Sequence, residues 1–256
     1  MKNQMKKTEW IMGMPITVMI IDQSNDEKKE DALKKVFEYF RYVDATFSTY
    51  KEDSEISRIN RGEIKQDEYS EDMKEVFTRS EKTKQETDGY FDIRTPEGVY
   101  DPSGLVKGWS IYHAAEILSN LGYTDFYVDA GGDIEARGHN TDGVPWTVGI
   151  RDPFSDDKSQ IVKTISLTGH GMATSGTYIR GQHIYDPHRG RAPLSDVASM
   201  TVIGPDVYEA DRFATAAFAM GKKGINFIEK LAGFEGYMIT PDGIATMTSG
   251  FHTFVK

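Results

Sequence analysis

The sequence predicts an α+β fold: one compact domain over residues 1–256, with a mixed, largely antiparallel sheet packed by helices. Three observations carry this expectation. Apolar residues recur at helical spacing in four segments, β-rich runs dominate the second half, and strands and helices do not alternate in a regular βαβ rhythm. No linker, repeat or low-complexity tract divides the 256 residues, a length that suits one large core.

The elements follow in order. Trp10 to Ile21 reads as one strand. Lys2, Lys6 and Lys7 precede it, as in a secretory leader, but Glu9 and Pro15 interrupt the apolar pattern and no small-residue cleavage site follows before Asp22. About 12 apolar residues are too few to cross a bilayer as a helix, so no membrane span is expected. Leu33, Val36, Phe37, Phe40 and Val43 mark an amphipathic helix near Asp26 to Ala45. Met73, Val76 and Phe77 mark a second, ended by Gly89. A third runs from about Gly104 to Leu121, with Asp101-Pro102-Ser103 as its cap and turn and Gly122 as its stop. Further strands are expected at Phe126 to Ala130, Trp146 to Arg151, Ile161 to Leu167, Met172 to Ser175, Ser199 to Ile203, Gly236 to Ile239 and Ala245 to Thr248. A fourth helix, Pro205 to Met220, lies among them.

Forty acidic against thirty basic residues give a formal charge of −10, which argues against a general nucleic-acid binder. An anionic ligand therefore needs local help from a metal ion, a helix N-terminus or a few placed cations. The chain has no Cys, which removes disulfides, thiolate ligands, a Cys nucleophile and a lipid-anchored cysteine. The expected setting is cytoplasmic, with a trimmed form of an exported protein as the alternative. There is no G-x-x-x-x-G-K-[ST] loop, no G-x-G-x-x-G after a strand, no G-x-S-x-G elbow and no H-E-x-x-H pair, and the six histidines lack zinc spacing.

Ala210-Asp211-Arg212-Phe213-Ala214-Thr215-Ala216 carries the most chemistry. On a helix, Asp211 and Thr215 stand four residues apart on one face, so they either grip one hard cation or form a local side-chain hydrogen bond. Around this segment lies a series of glycine-rich turns: Met12-Gly13-Met14, FSTYKEDSEISRIN from Phe47, GYFDIRTPEG from Gly89, DPSGLVKGW from Asp101, VDAGGD from Val128, ATSGTY from Ala173 and HIYDPHRG from His183. In this order, over nearly the whole chain, they resemble the ApbE family of FAD:protein FMN transferases.

The resemblance implies a Mg²⁺-dependent enzyme that splits FAD, its substrate, and attaches FMN by a phosphoester bond to a Thr or Ser of an acceptor flavoprotein segment, releasing AMP. Asp211 and Thr215 match the family's magnesium ligands, with the Gly104 carbonyl completing the protein's share. Asp101 matches an FAD contact and Lys107 a lysine that reaches the cofactor. Met12, Tyr50 and Ile93-Arg94-Thr95 match the flavin and adenine sites, and His183-Ile184 the turn beside the nucleotide. The catalytic roles implied are those of Asp211, Lys107 and, as base, His183, with Asp186 and His188 available to orient or replace it. The resemblance departs at His188, where the family has Arg, at Asp129 for a usual Asn, and at Met14 for a usual Thr.

Each residue also has a plainer use. Asp101 can cap the following helix, Gly131 and Gly132 can serve a tight turn, Tyr50 can be a half-buried aromatic, Lys107 a solvated charge and Met12 core. Two other functions fit the same groups: an FAD pyrophosphatase that gives the FMN phosphate to water, and a non-catalytic flavin-binding protein with a structural cation.

Overall fold

The computed structural model describes residues 3–157, 159–176, 184–190 and 194–256. The strands are β1 (Asn3–Ile11), β2 (Met14–Asp22), β3 (Asp125–Ala130), β4 (Asp133–Arg137), β5 (Trp146–Arg151), β6 (Ile161–Leu167), β7 (His170–Gly176), β8 (Ser199–Gly204), β9 (Glu235–Ile239) and β10 (Ala245–Met247). The helices are α1 (Asp26–Phe47), α2 (Glu55–Asn60), α3 (Glu71–Glu86), α4 (Ser103–Asn120), α5 (Val207–Ala219) and α6 (Gly224–Ile228). Eight strands form one sheet in the order β1-β2-β3-β4-β7-β8-β9-β10, antiparallel at every pairing, and β5 and β6 form a separate hairpin. The α+β expectation with a largely antiparallel sheet is borne out.

The strand expected over Trp10 to Ile21 is instead the end of β1, a two-residue turn and β2. Ile11 pairs with Met14 across Met12-Gly13, and both turn residues take positive φ, 55° and 71°. A two-residue hairpin needs this backbone, and Met12 adopts it without the usual Asn or Gly in that position. β1 escapes detection because it has no apolar face: most of Asn3–Ile11 is exposed on both sides of the ribbon. α2 and α6, at 6 and 5 residues, are too short to show a helical period. The four longer helices lie where periodicity puts them, α1, α4 and α5 to within about two residues at each end and α3 around Met73, Val76 and Phe77, ending at Glu86.

Alternation along the strands sorts the side chains into two layers. Ile16, Val18, Ile20, Phe126 and Val128 meet Leu33, Phe37, Phe40, Ala114 and Leu118 of α1 and α4 on one face. Further along the same face Ala173, Met200 and Val202 meet Phe213, Ala217 and Phe218 of α5. On the opposite face Ile134, Ala136, Met172 and Ile203 pack against Trp146, Ile150, Ile165 and Leu167 of the β5–β6 hairpin. β4 is unusual in turning charge toward the helices, with both Asp133 and Glu135 only 2% exposed.

Glu135 shows why. Its Oε2 accepts the Val207 backbone N–H of α5 at 2.8 Å, while Asp206 accepts from Glu209 N at 2.8 Å as the helix cap. Two carboxylates thus satisfy orphan amides at the positive end of α5. Gly171 on β7 faces the same spot: a Cβ there would lie 1.9 Å from the Val207 nitrogen, so only glycine lets the helix start this close to the sheet. No helix among the described residues is long and apolar enough to cross a membrane.

Burial pushes the Glu135 carboxyl up to about 7, against the opposing pull of the Val207 amide and Arg137. An acid whose folded pKa is raised stabilises the fold most below its unfolded pKa and loses that contribution as the pH rises through the folded value. Stability at pH 5 relative to pH 8 should therefore fall by about 2–3 kcal/mol in Glu135→Gln compared with the wild type. Denaturant unfolding at the two pH values measures the difference, and an unchanged difference would remove the buried acid from the account.

Candidate active site

Helices α4 and α5 approach each other closely because α4 presents glycine at two positions one turn apart. A Cβ on Gly104 would lie 3.2 Å from Thr215 Cγ2, and one on Gly108 would lie 2.6 Å from Asp211 Cβ and 2.7 Å from the Val207 carbonyl oxygen. The glycines admit the Asp211–Thr215 face of α5 against α4 backbone. Two contacts result. The Gly108 N–H donates to Asp211 Oδ2 at 2.7 Å, and Thr215 Oγ1 donates to the Gly104 carbonyl at 3.3 Å. Ser175 Oγ of β7 lies 3.4 Å from Thr215 Oγ1.

Lys107, between the glycines, points at the same place. Its Nζ stands 2.5 Å from Asp133 Oδ2 and 3.5 Å from Asp211 Oδ1. Asp133 is fixed in turn by the Thr174 N–H, which donates to its Oδ1 at 3.0 Å. Burial lifts the Asp211 carboxyl well above the usual carboxylate range, with Lys107 pulling it down and Asp133 pushing it up. A carboxyl buried this deeply favours its charged form only with positive charge beside it, and Lys107 supplies that charge.

The donors available to a metal are a carboxylate, a hydroxyl and a backbone carbonyl, all oxygen, with a second hydroxyl close by. That set fits a hard ion such as Mg²⁺, which takes few protein ligands and completes its shell with water or phosphate. Among the described residues no three His, Cys, Asp or Glu side chains converge on one point.

Three compartments open around this cluster. The largest, about 460 Å³, runs from Met12-Gly13-Met14 past Phe47 and Tyr50 to Ser103, Val106 and Lys107. One of about 420 Å³ lies between Tyr50, Asn60, Arg61, Thr95 and Asp101. A small one of about 80 Å³ joins Asp101, Ser103, Gly104 and Thr215 to Tyr90, Ile184 and Tyr185. Shared walls at Tyr50, Thr95, Asp101 and Ser103 make them one branched cleft.

Met12, Tyr50, Thr95, Asp101, Gly104, Lys107, Ile184 and Thr215 all line this cleft, and Asp211 stands behind Lys107. Tyr50 is 97% exposed, so it is not the half-buried aromatic of the plainer reading; its ring is presented to solvent at the junction of the two large compartments. Lys107 is likewise no solvated surface charge. Thr95 turns a buried, unpartnered Oγ1 toward the site. Asp101 stands one residue before the cap position held by Pro102, and its Oδ1 accepts the first amide of α4, Ser103 N, at 3.1 Å. Ile93 is buried in the core, where its carbonyl accepts the Asp101 N–H at 2.7 Å and so steadies Asp101 indirectly; Arg94 is exposed. His183 lies outside the described residues. His188 is exposed and bonds the Asp88 carbonyl at 2.9 Å through Nε2, beside the ring of Tyr90.

Sequence reasoning missed Gly108 and the role of Asp133. Asp133 closes the quoted VDAGGD turn, and the signal that could have found it is a charged residue entering a strand next to apolar Ile134 and Ala136.

The ApbE family profile matches residues 12–100 and 94–238. An FAD:protein FMN transferase of Escherichia coli K12 is 31% identical over 162 residues, 60% of this chain but 46% of that protein. One from Haemophilus influenzae is 27% identical across 93% of this chain and 87% of its own. The chain thus spans about half the length of several curated relatives it matches, and most of another. The flavin transferase ApbE of Vibrio cholerae superposes with a TM-score of 0.85 at 25% identity, covering 99% of this chain and all of that one. The ApbE protein of Thermotoga maritima superposes at 0.87 with 21% identity, also over 99% of this chain, which speaks for the fold. With the family's profile running across the glycine turns and both helices of the site, this chain belongs to the ApbE family.

Proposed function

We propose that this protein is a Mg²⁺-dependent FAD:protein FMN transferase that attaches FMN through a phosphoester bond to a Thr or Ser of an acceptor flavoprotein segment and releases AMP. The observation that carries the reading is the oxygen cluster of Asp211, Thr215 and the Gly104 carbonyl beside Lys107, at the meeting point of a branched cleft. The relatives' names point the same way.

A dinucleotide such as FAD has two recognition needs: aromatic or apolar surfaces for its two ring systems and positive charge for the pyrophosphate between them. The two large compartments supply the first, with Tyr50 offering a ring face to a flavin or adenine and Met12 an apolar contact. Thr95 and Asp101 can anchor the nucleotide by hydrogen bonds. Lys107 brings a fixed ammonium to the phosphates, in a net acidic chain where such charge must be local. Asp211, Thr215 and the Gly104 carbonyl would hold Mg²⁺. When bound, that ion supplies Lewis-acid polarisation of phosphoryl oxygens. The nucleophile belongs to the acceptor, so the chain's own task is alignment and charge placement. The base role of His183 rests on the family resemblance.

Incubating the protein with FAD, Mg²⁺ and a flavoprotein domain bearing an acceptor Thr should raise the acceptor's intact mass by one FMN less water, with matching AMP. Chelating the metal or introducing Asp211→Asn should lower the rate by about a thousandfold or more, the scale of losing several kcal/mol of charge stabilisation. Release of AMP and free FMN with no acceptor modified would instead identify a pyrophosphatase, and FAD binding without turnover a carrier.

Tyr50→Ala should leave folding unchanged and raise the KM for FAD roughly fivefold, the equivalent of about 1 kcal/mol of ring stacking. Steady-state kinetics against FAD reads it, and an unaltered KM would take Tyr50 out of the binding surface.

A further inference from the structure

We infer that Asp133 is a positioning residue: it holds the Lys107 ammonium off Asp211 and so keeps one Asp211 oxygen available to a divalent cation. The inference rests on the cation site proposed above and assigns a role to a residue outside it.

The two carboxylates facing Lys107 are held by different means. Asp133 enters β4 directly after Gly131-Gly132, with φ of 65° and 105°, and its neighbour Ile134 turns to the hairpin layer, which commits Asp133 to the helix layer. It is 2% exposed. The Thr174 N–H of β7 takes its Oδ1 at 3.0 Å, so Oδ2 is aimed at Lys107 Nζ, 2.5 Å away. Asp211 is equally buried, and its Oδ2 is taken by the Gly108 N–H at 2.7 Å. Its Oδ1 faces Lys107 Nζ at 3.5 Å, and the Asp133 carboxyl is also close enough to push the Asp211 pKa up.

One ammonium is thus shared unequally, at contact with Asp133 and a full ångström farther from Asp211. That inequality matters because an ammonium and a divalent ion compete for the same oxygen. Lys107 on its stem could close on Asp211 Oδ1 and neutralise it. With Asp133 as its nearer partner, the lysine stays beside the site as a charge for phosphate without occupying the metal's ligand. Residues that orient a ligand in this way commonly change metal affinity by about 10–100-fold when lost.

The test is Mn²⁺ binding by the flavin-free full chain, read from the loss of the free-ion EPR signal, with thermal melts to check folding. Asp133→Asn should weaken Mn²⁺ binding by about tenfold or more. Lys107→Met, which removes the competitor, should bind Mn²⁺ more tightly than the wild type. In the Lys107→Met background, adding Asp133→Asn should cost clearly less than the same change costs in the wild type, because only the lost charge and not the positioning remains to be removed. An undiminished loss in that background would mean Asp133 acts on the ion directly, and overturns positioning. So would unchanged binding in Asp133→Asn or weaker binding in Lys107→Met, a variant that also serves if Asp133→Asn does not fold. Asp211→Ala separates the two layers: if it binds Mn²⁺ like the wild type, the cation site itself is wrong and the inference falls with it.

Discussion

The close contact of α4 with α5 is the constraint on which the site depends. Two glycines one helical turn apart remove the side chains that would otherwise separate the helices, and a mid-helix amide, Gly108 N–H, meets the Asp211 carboxylate. Thr215 reaches the Gly104 carbonyl through the same gap. Lys107 sits between the glycines and is therefore carried into the cluster by helix geometry alone. Other contacts fix α5 in place: the Asp206 and Glu135 carboxylates at its start, and Arg212, which pairs with Glu209 and with Glu86 at the end of α3.

Where the apolar pattern is strong, the sequence is easily read. Helices α1, α3, α4 and α5 and the strands with a buried face follow from period alone, because one face of each must be apolar. The elements that escaped have either no such face or one masked by charge on the other side. β1 is polar on both sides, and β4 reads as a charged turn because Asp133, Glu135 and Arg137 point inward to bind helix ends and a lysine. Charge buried for a purpose looks, in one dimension, like charge left in water. The hairpin break at Met12-Gly13 was hidden for a related reason: a methionine occupies a left-handed backbone position where Asn or Gly would have announced a turn.

The site was legible to a different degree. Asp211 and Thr215 can be paired from helical spacing, but nothing local says that Gly104 and Lys107, about a hundred positions earlier, lie against them; the ordered series of glycine turns supplied that link. Tyr50 could be read two ways until its exposure was known. Ile93 was placed in the ligand site, whereas its side chain lies in the core and only its carbonyl reaches toward the cleft, through Asp101. Adjacent residues on an extended segment face opposite ways, so a short motif assigns the segment more securely than its individual side chains.

The branched cleft draws its walls from the β1–β2 turn at Met12, the segment after α1 at Tyr50, the start of α4 and the middle of α5. These pieces come from early and late parts of the chain and stand on one open eight-stranded sheet. Residues 12–107 line the two large compartments, and only the small branch takes in the late helix, through Thr215. A ligand filling all three branches would stitch the first strands to the late helix, and local fraying at either end of the sheet would be felt as a change in how tightly it is held.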